Sequence, residues 1–266
     1  MPDISLEKLE VIARGAGDIA LQYFGKITDA DRSIKDDGSL LTVADLAVNT
    51  YILDALRKEF PEYPILSEEV KGMPEGNSMW IVDPIDGTKN FSSGNPYFGI
   101  SIGLIVDGVP EIGVVYSPAE NKLYSAKRGS GAFLNGKKIS VSSCESMKDA
   151  HILLDTGASE QTLRMHGAIR EACTESGALV ESKMAASLEL CAVASGESDA
   201  MAHRGLKAWD IAGGMVVALE AGARTTDLVG AEKDMFKGGL IVSTPQIHES
   251  VVEITAKVFA TELARG

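Results

Sequence analysis

One segment, WIVDPIDGTKNF over residues 80–91, restricts the possible folds more than any other, because an apolar run typical of a buried strand delivers two acids, Asp83 and Asp86, into a tight turn. Residues 79–82 supply the apolar run, Pro84 cannot donate to a sheet ladder, and Gly87 lets the backbone approach a ligand closely. The strand is expected to end where the charges begin. A helix opening over residues 87–91 would aim the free amides of its first turn, and its positive dipole end, at an anion. Carboxylate, cation and phosphate would then share one corner. Asp83 and Asp86 could equally cap backbone groups in a solvated turn, a common use of Asp.

The hydrophobic pattern around this segment changes character along the chain. In residues 5–24, Leu6, Leu9, Ile12, Ala16, Ile19 and Tyr23 recur at helical spacing, and Gly25 ends the helix. Residues 26–39 read as a mobile polar loop with Asp36, Asp37 and Gly38 near its end, a candidate lid that could recruit a further cation. Thr42 followed by Asp45 fits an N-cap with an acid at the third helical position, ahead of a second amphipathic helix that runs to Pro61. Strands are expected at residues 64–67, 79–82, 98–106, 110–116 and 122–126, mostly antiparallel, with Asn135-Gly136 as a hairpin signal. From about residue 150 strand and helix alternate: strands at 152–155 and 240–243, helices near 160–176, 187–194, 209–221 and 246–264. The expected organisation is two tightly packed halves with a cleft between them. Residues 1–145 form an α+β half with a large sheet and the metal and phosphate motifs, and residues 146–266 an α/β half.

Composition narrows the function. A chain of 266 residues with 45% hydrophobic content can bury a large core. No apolar run approaches the roughly 18 residues that span a membrane, and no signal-type N-terminus is present, so a cytoplasmic protein without a membrane partner is expected. Cys144, Cys173 and Cys191 are odd in number and widely spaced, which suggests neither a disulfide framework nor a zinc site. A net charge of -13 opposes nucleic-acid binding. An anionic substrate would need cations as mediators.

Three further acidic elements complete the inventory. Glu68 and Glu69 follow an apolar strand; adjacent side chains of an extended chain point to opposite sides, so Glu68 is the one expected to join Asp83 and Asp86, unless the pair simply faces solvent. Asp210, in AWDIAGG over residues 208–214, opens a small-residue helix and could cap it or reach a cation. Asp45 in a first helical turn would stabilise the helix dipole by about 0.3 to 1 kcal/mol without any catalytic duty.

In this order, the glutamate pair, DPIDGT, WDIAGG and EAGA (residues 220–223), with GISIGLIVDGVPEIGVVYSP and SAKRGSGAFLNGKKISVS between them, resemble the magnesium-dependent, lithium-sensitive phosphatases of the inositol monophosphatase and fructose-1,6-bisphosphatase superfamily. The likeness spans almost the whole chain. It implies a layered α-β-α-β-α sandwich of the sugar phosphatase type, with the active site between the halves, and a homodimer. It implies that Glu68, Asp83, Asp86 and the main-chain carbonyl of Ile85 hold two or three Mg²⁺ ions together with Asp210. It further implies that Asp45 and Thr88 position and deprotonate the attacking water, that the Gly87 and Thr88 amides grip phosphate, and that Glu69 assists. An all-oxygen donor set suits Mg²⁺ or Mn²⁺, and the scattered His151, His166, His203 and His248 speak against zinc. Li⁺ would inhibit.

Such cations answer both obstacles to phosphomonoester hydrolysis, the repulsion of the incoming water and the poor leaving group, with no covalent intermediate. Substrate choice is read from departures. Inositol-preferring members carry an acid shortly before the WD motif, where this chain has His203 and then Arg204; Arg204 and Lys207 could face a second phosphate or form a surface charge pair. SKMAASLELC, residues 182–191, sets Ala185 and Ala186 at the substrate site and looks like archaeal members that accept both inositol phosphates and fructose 1,6-bisphosphate. The expected substrate is therefore a small sugar or polyol phosphate. The alternatives are a 3'-phosphoadenosine nucleotide or histidinol-phosphate phosphatase, and a non-catalytic regulatory interaction protein on the same scaffold.

Overall fold

The computed structural model describes residues 4–154 and 160–263. Two helices lead, α1 (Leu6–Tyr23) and α2 (Val43–Glu59). Between them a 3-10 turn at Asp29–Asp31 precedes a hairpin of β1 (Arg32–Ile34) and β2 (Leu40–Thr42), where sequence reading expects only a loop. The hairpin closes locally, since Lys35 N donates to Ser39 O and Gly38 N to Lys35 O, each at 2.9 Å, with Gly38 at φ +83°. β1 is wholly exposed and so carries no alternating pattern to read.

A seven-stranded sheet follows in chain order: β3 (Ile65–Ser67), β4 (Met79–Asp86), β5 (Gly99–Val106), β6 (Val109–Ser117), β7 (Lys122–Lys127), β8 (Ala132–Leu134) and β9 (Lys137–Ile139). β3 and β4 are parallel and the remaining neighbours antiparallel. β4 does not stop at Val82. It continues through Pro84 to Asp86 because the ladder slips between Asp83↔Ser101 and Asp86↔Gly99, an irregularity of the kind that tolerates proline. A short helix, α3 (Thr88–Ser92), starts after Gly87.

The second sheet has the order β11-β10-β12-β14-β13, with β10 (His151–Leu154), β11 (Leu179–Glu181), β12 (Ala200–His203), β13 (Arg224–Thr226) and β14 (Leu240–Ser243). β10 lies parallel to β11 and β12, and β14 antiparallel to β12 and β13. The helices of this region are α4 (Glu160–Glu175), α5 (Ala186–Ala194), α6 (Ala208–Glu220) and α7 (His248–Leu263). The expected strand end at Asp155 and helix end at Ala264 fall outside the described residues.

The two-residue period of the strands sorts the core into layers. Trp80, Val82, Ile100, Ile102, Ile112 and Val114 face α1 and α2, while Met79, Ile81 and Val115 face α5 and α6. In the second sheet Leu153, Met201, Leu240 and Val242 also face α5 and α6, whereas Ile152, Leu154, Ala202 and Ile241 pack under α4 and α7. The result is an α-β-α-β-α sandwich. Its central helix α6 is seated by glycines: a Cβ on Gly113 would lie 2.1 Å from Gly213 O, and one on Gly213 2.8 Å from Ser101 Oγ. Ile211, Met215, Val216 and Val217 are buried with it, each contributing on the order of 1.5 to 3 kcal/mol.

Candidate active site

The slipped ladder of β4 and the glycine seat of α6 bring acids from distant parts of the chain together. One carboxylate oxygen from each of Asp83, Asp86 and Asp210 lies within 4.8 Å of the others. Asp83 is 2% exposed and Asp86 7%. Each is held by backbone amides as well. Asp83 Oδ1 accepts from Ile85 N at 3.1 Å. Asp86 accepts from the first turn of α5, from Ser187 N at 2.7 Å, Ser187 Oγ at 2.6 Å and Ala186 N at 3.2 Å. Asp210 Oδ2 accepts from Lys207 N at 2.6 Å, capping α6.

Asp45 divides its two oxygens. Oδ2 accepts from Thr42 N at 2.8 Å and Thr42 Oγ1 at 2.5 Å, the expected cap, while Oδ1 lies 3.5 Å from Thr88 Oγ1, long for a hydrogen bond. The Thr88 hydroxyl also donates to the Ile85 carbonyl at 3.0 Å. Capping and a place beside the cluster are thus compatible in one side chain.

Burial governs the electrostatics. Burial first, and then the neighbouring carboxylates, push Asp45 and Asp210 up to about 7. Burial with Glu68, Asp86 and Asp210 nearby raises Asp83 well above the usual carboxylate range, and Asp86 moves the same way against the pull of Ser187. Removing such groups from water favours their neutral forms.

Glu68 lines the cleft but stands outside the three-oxygen set, with Oε1 2.6 Å from Lys35 Nζ; Glu69 Oε1 lies 2.7 Å from the same ammonium. The two glutamates therefore do not point to opposite sides as expected. Residues 68–70 leave β3 in a turn closed by Val70 N to Ser67 O at 3.2 Å, so the extended-chain rule does not apply. Lys35 belongs to the segment expected to be a free lid, and a lone lysine in a polar stretch gives no sequence signal of such a partner.

The cleft has a volume of about 420 Å³, and Gly87, Thr88, Ala185, Ala186, His203 and Leu206 share its walls with Glu68, Asp86 and Asp210. Gly87 sits at φ +83° with a Cβ position 3.0 Å from Ala185 Cβ, so a larger residue is excluded twice over. His203 Nε2 is 2.7 Å from Glu189 Oε2, both buried. Arg204 is not in this cleft: its guanidinium lies over the Phe259 ring, 5.5 Å from the centroid, because residues alternate across β12 and Arg204 follows His203 on the other face. The Lys207 side chain likewise lines a neighbouring cavity with Arg204, and only its amide serves the acids. Ser187 and Glu189 were missed as site residues; a serine at a helix start was the available signal for the first.

Fold and site together define a layered α/β protein with a clustered carboxylate set that could hold a metal ion. The sequence profile of the inositol monophosphatase family matches residues 5–259, and the chain belongs to that family. Similar proteins include Nus factor SuhB of Pasteurella multocida, 34% identical over 90% of this chain and 91% of its own length. They also include a fructose-1,6-bisphosphatase/inositol-1-monophosphatase of Thermotoga maritima, 32% identical over 93% and 94%. The solved IMPase of Thermotoga maritima superposes with a TM-score of 0.88 at 30% identity, covering 97% of this chain and 98% of that one. The extragenic suppressor protein suhB of Bartonella henselae gives 0.88 at 28%, covering 94% and 98%. Family membership supports a phosphatase acting on small phosphate esters. Among the described residues no helix is long and apolar enough to cross a membrane.

Proposed function

We propose that this chain is a cytoplasmic, homodimeric phosphomonoesterase that hydrolyses small sugar or polyol phosphates, inositol 1-phosphate or fructose 1,6-bisphosphate, with divalent cations and without a covalent intermediate. The observation that carries this reading is the convergence of Asp83, Asp86 and Asp210 within 4.8 Å beside an open cleft. The residues fit Mg²⁺ or Mn²⁺, since the crowded carboxylates of Asp83, Asp86 and Asp210 are raised by burial and by one another and offer only hard oxygens. Asp83, Asp86 and Asp210, with Glu68 and the Ile85 carbonyl alongside, would hold the ions. When bound, they supply positive charge for the phosphate and raise the acidity of water.

The chain's own groups account for the rest. Asp45, raised to about 7, is suited to take a proton at neutral pH, and the Thr88 hydroxyl 3.5 Å from its Oδ1 marks where a water between them would be oriented. The Gly87 and Thr88 amides, at a wall without a Cβ on Gly87, are donors for phosphate oxygens. Glu69, paired with Lys35, steadies Glu68 by sharing that ammonium.

The test is phosphate release from inositol 1-phosphate, fructose 1,6-bisphosphate, a 3'-phosphoadenosine nucleotide and histidinol phosphate, with and without Mg²⁺ and Li⁺. Release from one of the first two that needs Mg²⁺ and falls with Li⁺ is expected. Preference for either of the last two substrates would move the assignment to that alternative, and release that survives chelation would sink the cation-dependent mechanism. Relatives named as Nus factors favour a second reading, a regulatory interaction role. Partner binding that ignores Mg²⁺, with no ester cleaved, would select it.

A further inference from the structure

Asp86 caps a helix that begins 100 positions further along the chain. α5 starts after Ala185, whose methyl group can accept nothing from the helix amides, and the first two amides of α5, those of Ala186 and Ser187, are spent on the Asp86 carboxylate instead. The cap needs only those amides. Ser187 adds its hydroxyl, which donates to the same oxygen as its amide, Oδ2, at 2.6 and 2.7 Å, whereas Oδ1 receives only the longer bond from Ala186 N, 3.2 Å. A carboxylate oxygen accepts about two hydrogen bonds, so Oδ2 is filled and Oδ1 keeps capacity for a cation. The hydroxyl is also closely walled. Ser187 is fully buried, a Cβ on Gly99, the ladder partner of Asp86, would lie 3.2 Å from Ser187 Oγ, and one on Gly214 of α6 would lie 3.1 Å from Ser187 O.

We infer that Ser187 is a positioning residue of the cation site: by pinning Oδ2 it fixes the plane of the Asp86 carboxylate and leaves Oδ1 to the cation shared with Asp83 and Asp210. This rests on the reading that these acids hold a divalent cation. A ligating carboxylate held by its own hydrogen bonds meets the cation already oriented, and loss of such a bond weakens cation binding. The second half of the chain thus contributes to the site twice, through Asp210 on α6 and through Ser187 on α5, which reaches the cation only by way of Asp86.

The experiment is calorimetric titration of Mg²⁺, and in parallel of Mn²⁺, into the metal-free full chain without substrate, for the unmodified protein and for Ser187→Ala, Ser187→Cys and Ser187→Thr. Urea denaturation of each metal-free protein runs alongside. The first change removes the donor, the second keeps the volume with a weak donor, and the third keeps the hydroxyl. The dissociation constant should rise roughly tenfold in Ser187→Ala and nearly as far in Ser187→Cys, and stay within about threefold in Ser187→Thr, whatever the order of the urea midpoints. Affinities that follow the urea midpoints instead, or a Ser187→Cys protein that binds as tightly as the unmodified one, would mean that the side chain only fills its slot, and overturn the inference. So would equal affinities throughout, or Ser187→Thr as weak as Ser187→Ala. If Ser187→Ala does not fold, Ser187→Cys against the unmodified protein decides by the same criterion. An unmodified protein that binds neither ion removes the cation reading and the inference with it, whereas binding that ignores the hydroxyl removes the positioning role alone.

Discussion

Asp86 shows how one side chain can serve fold and chemistry together: its oxygens accept three hydrogen bonds from the start of α5 while one of them stays within 4.8 Å of Asp83 and Asp210. Asp86→Asn keeps the shape and removes the charge. Mg²⁺-dependent phosphate release should fall by roughly a hundredfold or more, and the melting temperature should lose its dependence on Mg²⁺; full turnover in this variant would refute the cation site. Lys35 presents the reverse case, an ammonium placed among acids at 2.6 and 2.7 Å. Those acids and burial move it in opposite directions, and the net shift is upward, so it stays charged at neutral pH. Lys35→Met should therefore lower the Mg²⁺ concentration needed for half-saturation in a titration without substrate, because a tethered competitor is gone. A higher midpoint would mean that the lysine organises the site instead.

At the scale of elements, the seat of α6 decides where Asp210 stands. Gly113 leaves no room for a methyl group, since its Cβ would fall 2.1 Å from Gly213 O in the helix backbone. Gly113→Ala must push α6 outward. The cost should be about 1 to 3 kcal/mol, read from urea denaturation, and Mg²⁺ affinity should fall with it. A stability loss with unchanged Mg²⁺ binding would show that the helix seat and the acid cluster are independent. The hairpin β1–β2 illustrates the opposite dependence, because its exposed strand β1 is held by a local turn and by single side-chain ties, Lys35 to the two glutamates and Arg32 Nη2 donating to Ser92 O at 2.7 Å.

For the molecule as a whole, the buried acids predict an unusual pH response. Asp45 and Asp210 titrate near 7 when folded, against an ordinary value of 3.8. Between those values the folded protein keeps protons that the unfolded chain has shed, so the metal-free fold loses stability as pH rises through the window. At the proposed cation site Mg²⁺ would bind the ionised acids and reverse the trend. The rise in melting temperature on adding Mg²⁺ should therefore be larger at pH 8 than at pH 5.5, and an equal rise at both would contradict the shifts. His248 works in the other direction. Buried between Thr226 and Ser243, it is lowered to about 4, so the unfolded chain takes up a proton first and stability falls as pH drops below about 6.5. Comparing samples with and without Mg²⁺ at each pH cancels that contribution.

Periodic and capping signals lie within a few residues of one another, and those the sequence determined by itself: the helices α1, α2, α4 and α6, the longer strands, the cap at Thr42 and Asp45, and the delivery of Asp83 and Asp86 from a buried strand. Strands of three or four residues such as β11, β12 and β13 are too short to show a period, and β1 is too exposed. Tertiary structure alone decided that Ser187 meets Asp86 across 101 positions, that Glu68 and Glu69 share Lys35, and that Arg204 turns from the cleft to Phe259. Such pairings depend on how whole layers stack, a relation between distant segments that no local spacing encodes.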